Sequence, residues 1–224
     1  RNMIEVRLLH NQIRDQNKIL EERVRERTRE LQDTRLDIIH RLARAAEFRD
    51  NETGIHIIRM SKYCALLAAA IGMNETQCEL LLNASPLHDI GKVGIPDTIL
   101  KKPGSLTDEE WQIMKTHAGL GRDVLTAAKL KDAKHTHVLD AAIQIAGCHH
   151  EAWDGSGYPQ GLKGEAIPLA ARLMSLADTY DALVNERVYK KEWTHDEACA
   201  EIASLKGKRF DPLVVEAFMQ EKEN

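Results

Sequence analysis

Histidine and carboxylate residues recur in five segments of this 224-residue chain, and two segments carry adjacent pairs, His88-Asp89 and His149-His150. Imidazole nitrogen and carboxylate oxygen are ligands that suit iron, manganese and zinc. The second pair leads into a Gly-Ser-Gly-Tyr-Pro turn at 155–159. Glycine lets such a turn bend tightly beside a ligand. These residue types therefore indicate a metal-dependent site.

The other three segments add ligands of the same kinds. Glu52 and His56 are four residues apart, which places both on one face of a helix, and His117 and Asp178 stand singly. This set is too large for one four-coordinate ion and suits two or three ions that share a bridging carboxylate, most naturally Asp89. Two metal ions can stabilise the attacking and leaving oxygens of a phosphoester. The sequence therefore predicts metal-dependent phosphoester hydrolysis.

The elements that must position these ligands are predicted to be helices. Apolar residues recur every three or four positions, and no run with a period of two predicts a strand. Residues 1–35 contain neither Gly nor Pro and carry a heptad-like apolar seam with one stutter, which predicts a coiled-coil helix that forms a homodimer. The alternative is a solvated helix packed on its own domain. We therefore predict an all-α protein, with a coiled-coil helix at 1–35 and a helical bundle at 36–224.

Local signals predict several helix ends. Asn74, Thr107 and Thr194 each stand three residues before Glu or Gln, the spacing of a capping box. Asp211-Pro212 is predicted to begin the last helix. Gly91 is predicted to end the helix that carries His88.

Composition limits the classes of partner. The net charge of −4 gives no electrostatic basis for binding a nucleic acid polymer. The longest nearly apolar run, Cys64–Met73, is too short to span a bilayer, and we recognise no signal peptide. We expect a cytoplasmic protein that does not bind membranes. Because the chain starts at Arg1 in a helical pattern, we also expect it to be part of a longer protein.

Three motifs in order resemble the HD-GYP family of metal-dependent phosphohydrolases. They are HDIGKVGIP at 88–96, KPG at 102–104 and HHEAWDGSGYP at 149–159, within a match from about Leu36 to Phe218. The resemblance implies an HD-domain helical bundle with a di- or trinuclear iron or manganese site. Active members hydrolyse the bacterial second messenger cyclic di-GMP, and a receiver or sensor domain often precedes the helical stalk.

The resemblance also implies the ligand set. Members with a third metal add a glutamate at the position of Glu52, and we expect Arg59 and Asp181 to hold the ligand helices in place. The implied metal ligands are His56, His88, Asp89, His117, His149, His150 and Asp178.

Substrate contacts follow from the same resemblance. Lys92, three residues beyond Asp89, would contact a phosphate oxygen or assist proton transfer. Arg187 and Lys190 resemble a pair that contacts the far part of the substrate, and Tyr158 resembles a residue that approaches the nucleotide. Without the resemblance, Arg187 and Lys190 would be interpreted as solvated charges and Tyr158 as a residue that packs the loop.

We predict that a metal-bridging hydroxide attacks one phosphorus in line with the departing 3′ oxygen, which gives pGpG and then GMP. Two alternatives stay open. The substrate could be another cyclic dinucleotide, or the domain could bind a nucleotide or a protein partner without catalysis.

Overall fold

The computed structural model describes residues 2–47, 49, 55–127, 137–185 and 193–221. Regular structure within these ranges is helical, apart from an isolated bridge between Lys206 and Phe210, so the all-α prediction is confirmed. In the same ranges, no helix combines the length and the apolarity needed to cross a bilayer. The α-helices are α1 (Asn2–Glu47), α2 (Ile55–Ala70), α3 (Glu75–Ala84), α4 (Asp97–Leu100), α5 (Asp108–Ala127), α6 (His137–Cys148), α7 (Leu169–Val184), α8 (His195–Ser204) and α9 (Pro212–Glu221).

The predicted N-terminal helix is present and continues to Glu47. The chain forms two compact units that divide between Ile39 and His40, so the last residues of α1 belong to the second unit. The predicted domain boundary at residue 35 and the predicted homodimer stay predictions. The apolar seam residues, which a coiled-coil partner would cover, are 52–71% exposed: Leu9, Ile13, Leu20, Val24, Leu31 and Ile38.

Helix α7 is the central element of the second unit and packs against α2, α6, α8 and α9. Leu173, Met174 and Leu176 of α7 are fully enclosed. Burial of each such side chain contributes about 1.5–3 kcal/mol to stability. This packing fixes the helix that also carries two of the predicted site residues, Asp178 and Asp181.

The predicted helix starts are confirmed. Asn74 and Thr194 each form a reciprocal capping box with the residue three positions later. The Thr107 amide donates to Glu110 Oε2 at 2.8 Å, and the Glu110 amide donates back to Thr107 Oγ1 at 3.3 Å. At α9, the Leu213 amide donates to Asp211 Oδ1 at 2.8 Å. Each cap contributes about 1 kcal/mol by satisfying amides that the helix leaves without partners.

The prediction that Gly91 ends a helix is wrong. Gly91 lies buried inside a 3₁₀ helix, Ile90–Gly94, which follows the His-Asp pair. Glycine is needed at position 91 because two segments of the main chain approach each other closely there. A Cβ at Gly91 would lie 2.0 Å from the His117 carbonyl oxygen and 2.4 Å from the Gly121 amide nitrogen, both in α5. The His-Asp turn and α5 therefore meet through backbone atoms.

We predict that Gly91→Ala lowers the free energy of unfolding by about 1–3 kcal/mol, because the added methyl group forces α5 away from the turn. Gly119→Ala is the matched control, since a Cβ at Gly119 meets nothing within 4 Å. It should stabilise α5 by about 0.5–1 kcal/mol. Thermal denaturation of chelator-treated protein, followed by circular dichroism, measures both changes. Equal melting temperatures for the two variants would contradict the close-contact explanation.

Candidate metal centre

Asp89 is the residue on which the predicted ligands converge. Asp89 comes directly before the 3₁₀ helix Ile90–Gly94, and this position directs the Asp89 carboxylate into the bundle. Asp89 Oδ1 lies 3.3 Å from His117 Nε2 and 3.5 Å from His149 Nε2, and Asp89 Oδ2 lies 3.2 Å from His88 Nε2. These histidines come from α5, from the residue after α6 and from the turn before Asp89, and all three are buried. The structure thus brings together residues that are far apart in the sequence.

The ring orientation of each histidine is set by the helix that carries it. Nδ1 of each ring lies within hydrogen-bond distance of a main-chain carbonyl oxygen three or four residues earlier. Because a carbonyl oxygen only accepts, Nδ1 carries the proton, and Nε2 of the neutral ring is left as an acceptor. The pairs are His88 with Ser85 at 3.2 Å, His117 with Met114 at 2.7 Å and His149 with Ile145 at 3.0 Å.

This arrangement fits a divalent metal. Among the described residues, Nε2 of His88, His117 and His149 and Oδ1 of Asp89 are buried and have no hydrogen-bond partner. Acceptor atoms that face each other at 3.2–3.5 Å repel unless a cation lies between them. A metal ion satisfies several of these acceptors at once, and buried imidazole and carboxylate are the donors that such ions take.

The electrostatics of the cluster follow from this convergence. Burial acts to raise the pKa of Asp89, but Lys92 and the neighbouring histidines outweigh it and hold that pKa well below its usual range. Burial likewise acts to lower the pKa of His149, but the Asp89 carboxylate raises it above its usual value. At His150, burial and the nearby His149 and His117 lower the pKa well below its usual value. The site therefore combines an ionised carboxylate with a neutral imidazole at His150, the forms that bind metals.

Among the residues that the structure describes, potential ligand atoms form two groups, each with its atoms within 4.8 Å of one another. The first contains the Asp89 carboxylate with three imidazoles, and the second contains a carboxylate with two imidazoles. Two groups of this kind could hold two of the two or three predicted ions. The members are Asp89, His117, His149 and His150 in the first group and Glu47, His56 and His88 in the second.

Glu47 is a member that the sequence analysis missed. It is the last residue of α1 and is only 3% exposed. The predicted carboxylate for this region was Glu52, which lies outside the described residues, so its role stays a prediction. The only available signal was that Glu47 follows the apolar positions at the end of α1, a pattern that many exposed glutamates share.

Asp181 contacts both His56 and Arg59. His56 Nδ1 donates to Asp181 Oδ2 at 2.6 Å, and Arg59 donates to both Asp181 oxygens, at 2.7 and 3.0 Å. The Asp181 side chain is 2% exposed. His56 Nε2 lies on the other side of the ring, 3.6 Å from Asp178 Oδ1. These contacts hold α2 against α7 at the site.

Lys92 Nζ lies 2.8 Å from Asp89 Oδ2, and its predicted role towards a substrate phosphate stays a prediction. A second cation, Arg49, holds the turn that follows Lys92 and was missed by the sequence analysis. Arg49 donates to the carbonyl oxygens of Val93 at 2.5 Å and Ile95 at 3.0 Å, and to Asp97 Oδ1 at 2.5 Å. Arg49 stands within a mixed-charge run, where nothing in the spacing distinguishes it from solvated arginines.

The Gly-Tyr-Pro loop covers one side of the cluster. The ring of Tyr158 stacks on His150, with centroids 4.7 Å apart and planes at 26°. The Glu151 carboxylate, 3% exposed, closes the loop by accepting from the amides of Gln160 at 2.7 Å and Leu162 at 3.0 Å. Tyr158 thus lies against a predicted metal ligand. The predicted substrate residues Arg187 and Lys190 lie outside the described residues, and their roles stay predictions.

Comparison with known proteins agrees with the motifs. Residues 8–214 match the family described as HD domain. A cyclic di-GMP phosphodiesterase of Vibrio cholerae is 48% identical over 202 residues, which cover 87% of this chain and 41% of that protein. The 3′3′-cGAMP-specific phosphodiesterase 2 of the same organism is 42% identical over 191 residues, which cover 85% of this chain and 35% of that protein. The chain spans half or less of the length of these relatives.

A solved structure shows the same fold. The crystal structure of a cyclic GMP-AMP-specific phosphodiesterase of V. cholerae aligns with a TM-score of 0.63 and 22% identity, covering 84% of this chain and 49% of that one. The chain belongs to the HD domain family, in the HD-GYP branch that its motifs resemble.

We predict that Asp181→Asn weakens metal binding about 10- to 100-fold, because the amide cannot fix the His56 ring as the carboxylate does. Asp123→Asn, at an exposed position beside Arg122, is the matched control. Competition with a chelator of known affinity measures the dissociation constant. Equal metal affinity in the two variants would show that Asp181 serves the helix packing alone.

Proposed function

We propose that this chain is the catalytic part of a bacterial signalling protein and that it hydrolyses cyclic di-GMP. The observation that carries the proposal is the position of Asp89 between buried imidazoles that need a cation, with the Lys92 ammonium on the same carboxylate. The relative named as a cyclic di-GMP phosphodiesterase, which shares 48% identity over 202 residues, supports the choice of substrate.

The groups that would hold the metal are the two described above, with either Glu47 or the predicted Glu52 as the acid of the second. Asp89 belongs to the first group and lies 3.2 Å from His88 of the second, so it is the carboxylate that the two ions would share. When bound, a pair of divalent ions supplies hydroxide near neutral pH and stabilises the leaving oxygen. Histidine and carboxylate ligands suit iron and manganese, which are the metals that we propose. In the trinuclear form of the proposed site, Glu52 would be a ligand of the third metal ion.

The residues of the chain have separate tasks in this reaction. The ionised Asp89 holds the cations in place, and Asp181 keeps His56 Nε2 directed inward. Lys92, anchored on Asp89, offsets the negative charge that develops on the phosphoryl oxygens. The first product would be linear pGpG, and a second hydrolysis would give GMP. The predicted homodimer, the upstream receiver or sensor domain and the cytoplasmic location belong to the same proposal.

A second candidate substrate is 3′3′-cGAMP, because one relative that matches 85% of this chain is named for that substrate. The two cyclic dinucleotides differ in one base and share both phosphodiesters. The proposed chemistry is therefore the same for either, and only contacts to the bases can distinguish them.

The test is to measure metal content per chain on anaerobically purified protein together with pGpG and GMP formation. We expect two or three iron or manganese ions and faster turnover of cyclic di-GMP than of 3′3′-cGAMP. Preference for 3′3′-cGAMP would favour the second candidate. Full metal loading without turnover of either would favour a domain that binds its nucleotide or a protein partner without catalysis.

We predict that Asp89→Ala lowers turnover by at least about 10²–10³-fold and also lowers the metal content, because the shared carboxylate is lost. Asp123→Ala, which removes an exposed carboxylate, should leave both values unchanged. Metal analysis and product formation on the same samples check the prediction. Full activity of Asp89→Ala would exclude the bridging role.

A further inference from the structure

We propose that a cavity between α2 and α7 binds a small, neutral, planar aromatic molecule that carries one N–H or O–H donor. The cavity has a volume of about 240 Å³ and lies within the second unit. Helices α2 and α7 supply most of its walls, and α8 and α9 add one residue each. The lining residues that the structure describes are Tyr63, Leu66, Leu67, Leu176, Ala177, Tyr180, His195 and Phe218.

The volume of the cavity limits the size of its occupant. It exceeds the volume of about 150 Å³ at which an apolar cavity holds one benzene molecule. It is below the range of about 300–1,000 Å³ that is typical of pockets for drug-sized ligands. The cavity therefore fits a molecule of two fused rings.

Aromatic side chains form much of the lining, with Tyr180 at their centre. The Tyr180 ring makes edge-to-face contacts with Tyr63, at 5.2 Å between centroids and 76° between planes, and with Phe218, at 5.1 Å and 63°. The His195 ring is perpendicular to it at 5.9 Å. Ring edges are positive and ring faces are negative, so an aromatic ligand can continue this arrangement. An aliphatic ligand of the same volume gains no such contact.

The lining also contains one polar pair. Tyr180 Oη lies 2.8 Å from His195 Nδ1, and Cys199 Sγ lies closer to His195 Nε2, at 3.5 Å, than to Nδ1, at 3.8 Å. A neutral imidazole donates from one nitrogen and accepts at the other. These distances favour a donor at Nε2, towards the sulfur, and an acceptor at Nδ1 for the Tyr180 hydroxyl. The Tyr180 oxygen then keeps its lone pairs for a donor group of the ligand.

The lack of charge in the lining excludes other classes of ligand. None of the lining residues that the structure describes is Asp, Glu, Lys or Arg. A charged ligand would lose its hydration here without gaining a counterion, which is unfavourable. The same reason excludes a cyclic dinucleotide with its two phosphodiesters. The occupant is therefore a different molecule from the proposed substrate, although α2 and α7 also carry His56 and Asp181.

Isothermal titration calorimetry of the anaerobically purified protein with indole and with benzofuran tests the proposal. Both molecules are flat, fused two-ring systems of similar size, and only indole has an N–H donor. We expect one indole to bind per chain. Tyr180→Phe should weaken indole binding about three- to tenfold, the effect of losing one hydrogen bond, and should leave benzofuran binding unchanged.

Leu66→Trp is a second variant, which fills part of the cavity with a larger side chain. Leu66 lines the cavity but is 58% exposed, so the helix packing tolerates the change. This variant should lose binding of both compounds. Leu213→Trp is the matched control, since Leu213 is 54% exposed on α9 and is not among the described lining residues. It should bind both compounds as the wild-type protein does.

The outcomes decide the proposal without reference to turnover. A wild-type protein that binds no indole overturns it. Indole binding that survives in Leu66→Trp also overturns it, because the molecule would then occupy another place. An equal loss of indole and benzofuran in Tyr180→Phe overturns the assigned donor contact. Since none of these results involves a cyclic dinucleotide, the proposed function stands or fails separately.

Discussion

The centre of this molecule is arranged around a repulsion between acceptors. Three imidazole nitrogens are fixed by main-chain carbonyl oxygens so that their lone pairs face the Asp89 carboxylate, at 3.2–3.5 Å. A buried group of acceptors is unfavourable without a cation. The bundle keeps this arrangement because its helices are held elsewhere by apolar packing, above all around α7. Folding stability and metal affinity therefore come from different parts of the same bundle.

The contacts that orient the ligand histidines are of two kinds. The histidine rings use carbonyl oxygens at helix ends or within helices, whereas His56 uses a carboxylate, Asp181, that is itself neutralised by Arg59. The Gly-Tyr-Pro loop is closed from within by Glu151, and Tyr158 of this loop stacks on His150. Contacts within the chain therefore fix the directions of the ligand side chains.

Much of this centre could be predicted from the sequence, because adjacent ligands and motif order are local features. The helical periodicity predicted an all-α fold, and the pairs at 88–89 and 149–150 predicted the cluster. The prediction that Gly91 ends a helix is wrong, because local sequence patterns cannot distinguish a helix end from a contact with a main-chain segment distant in the sequence. Glu47 and Arg49 were missed for a related reason. Their partners are far away in the sequence, and each residue alone resembles an ordinary surface charge.

The backbone contact at Gly91 has a consequence for how such a protein can vary. Gly121 is restricted from the other side, since its Cβ would lie 3.2 Å from the Gly91 nitrogen. The distance from the His-Asp turn to the helix that bears His117 is therefore set by main-chain atoms, whose size is the same for every amino acid. Substitutions among the core side chains can therefore change the stability of the bundle. They leave the distance between the His-Asp turn and His117 unchanged, because main-chain contact sets that distance.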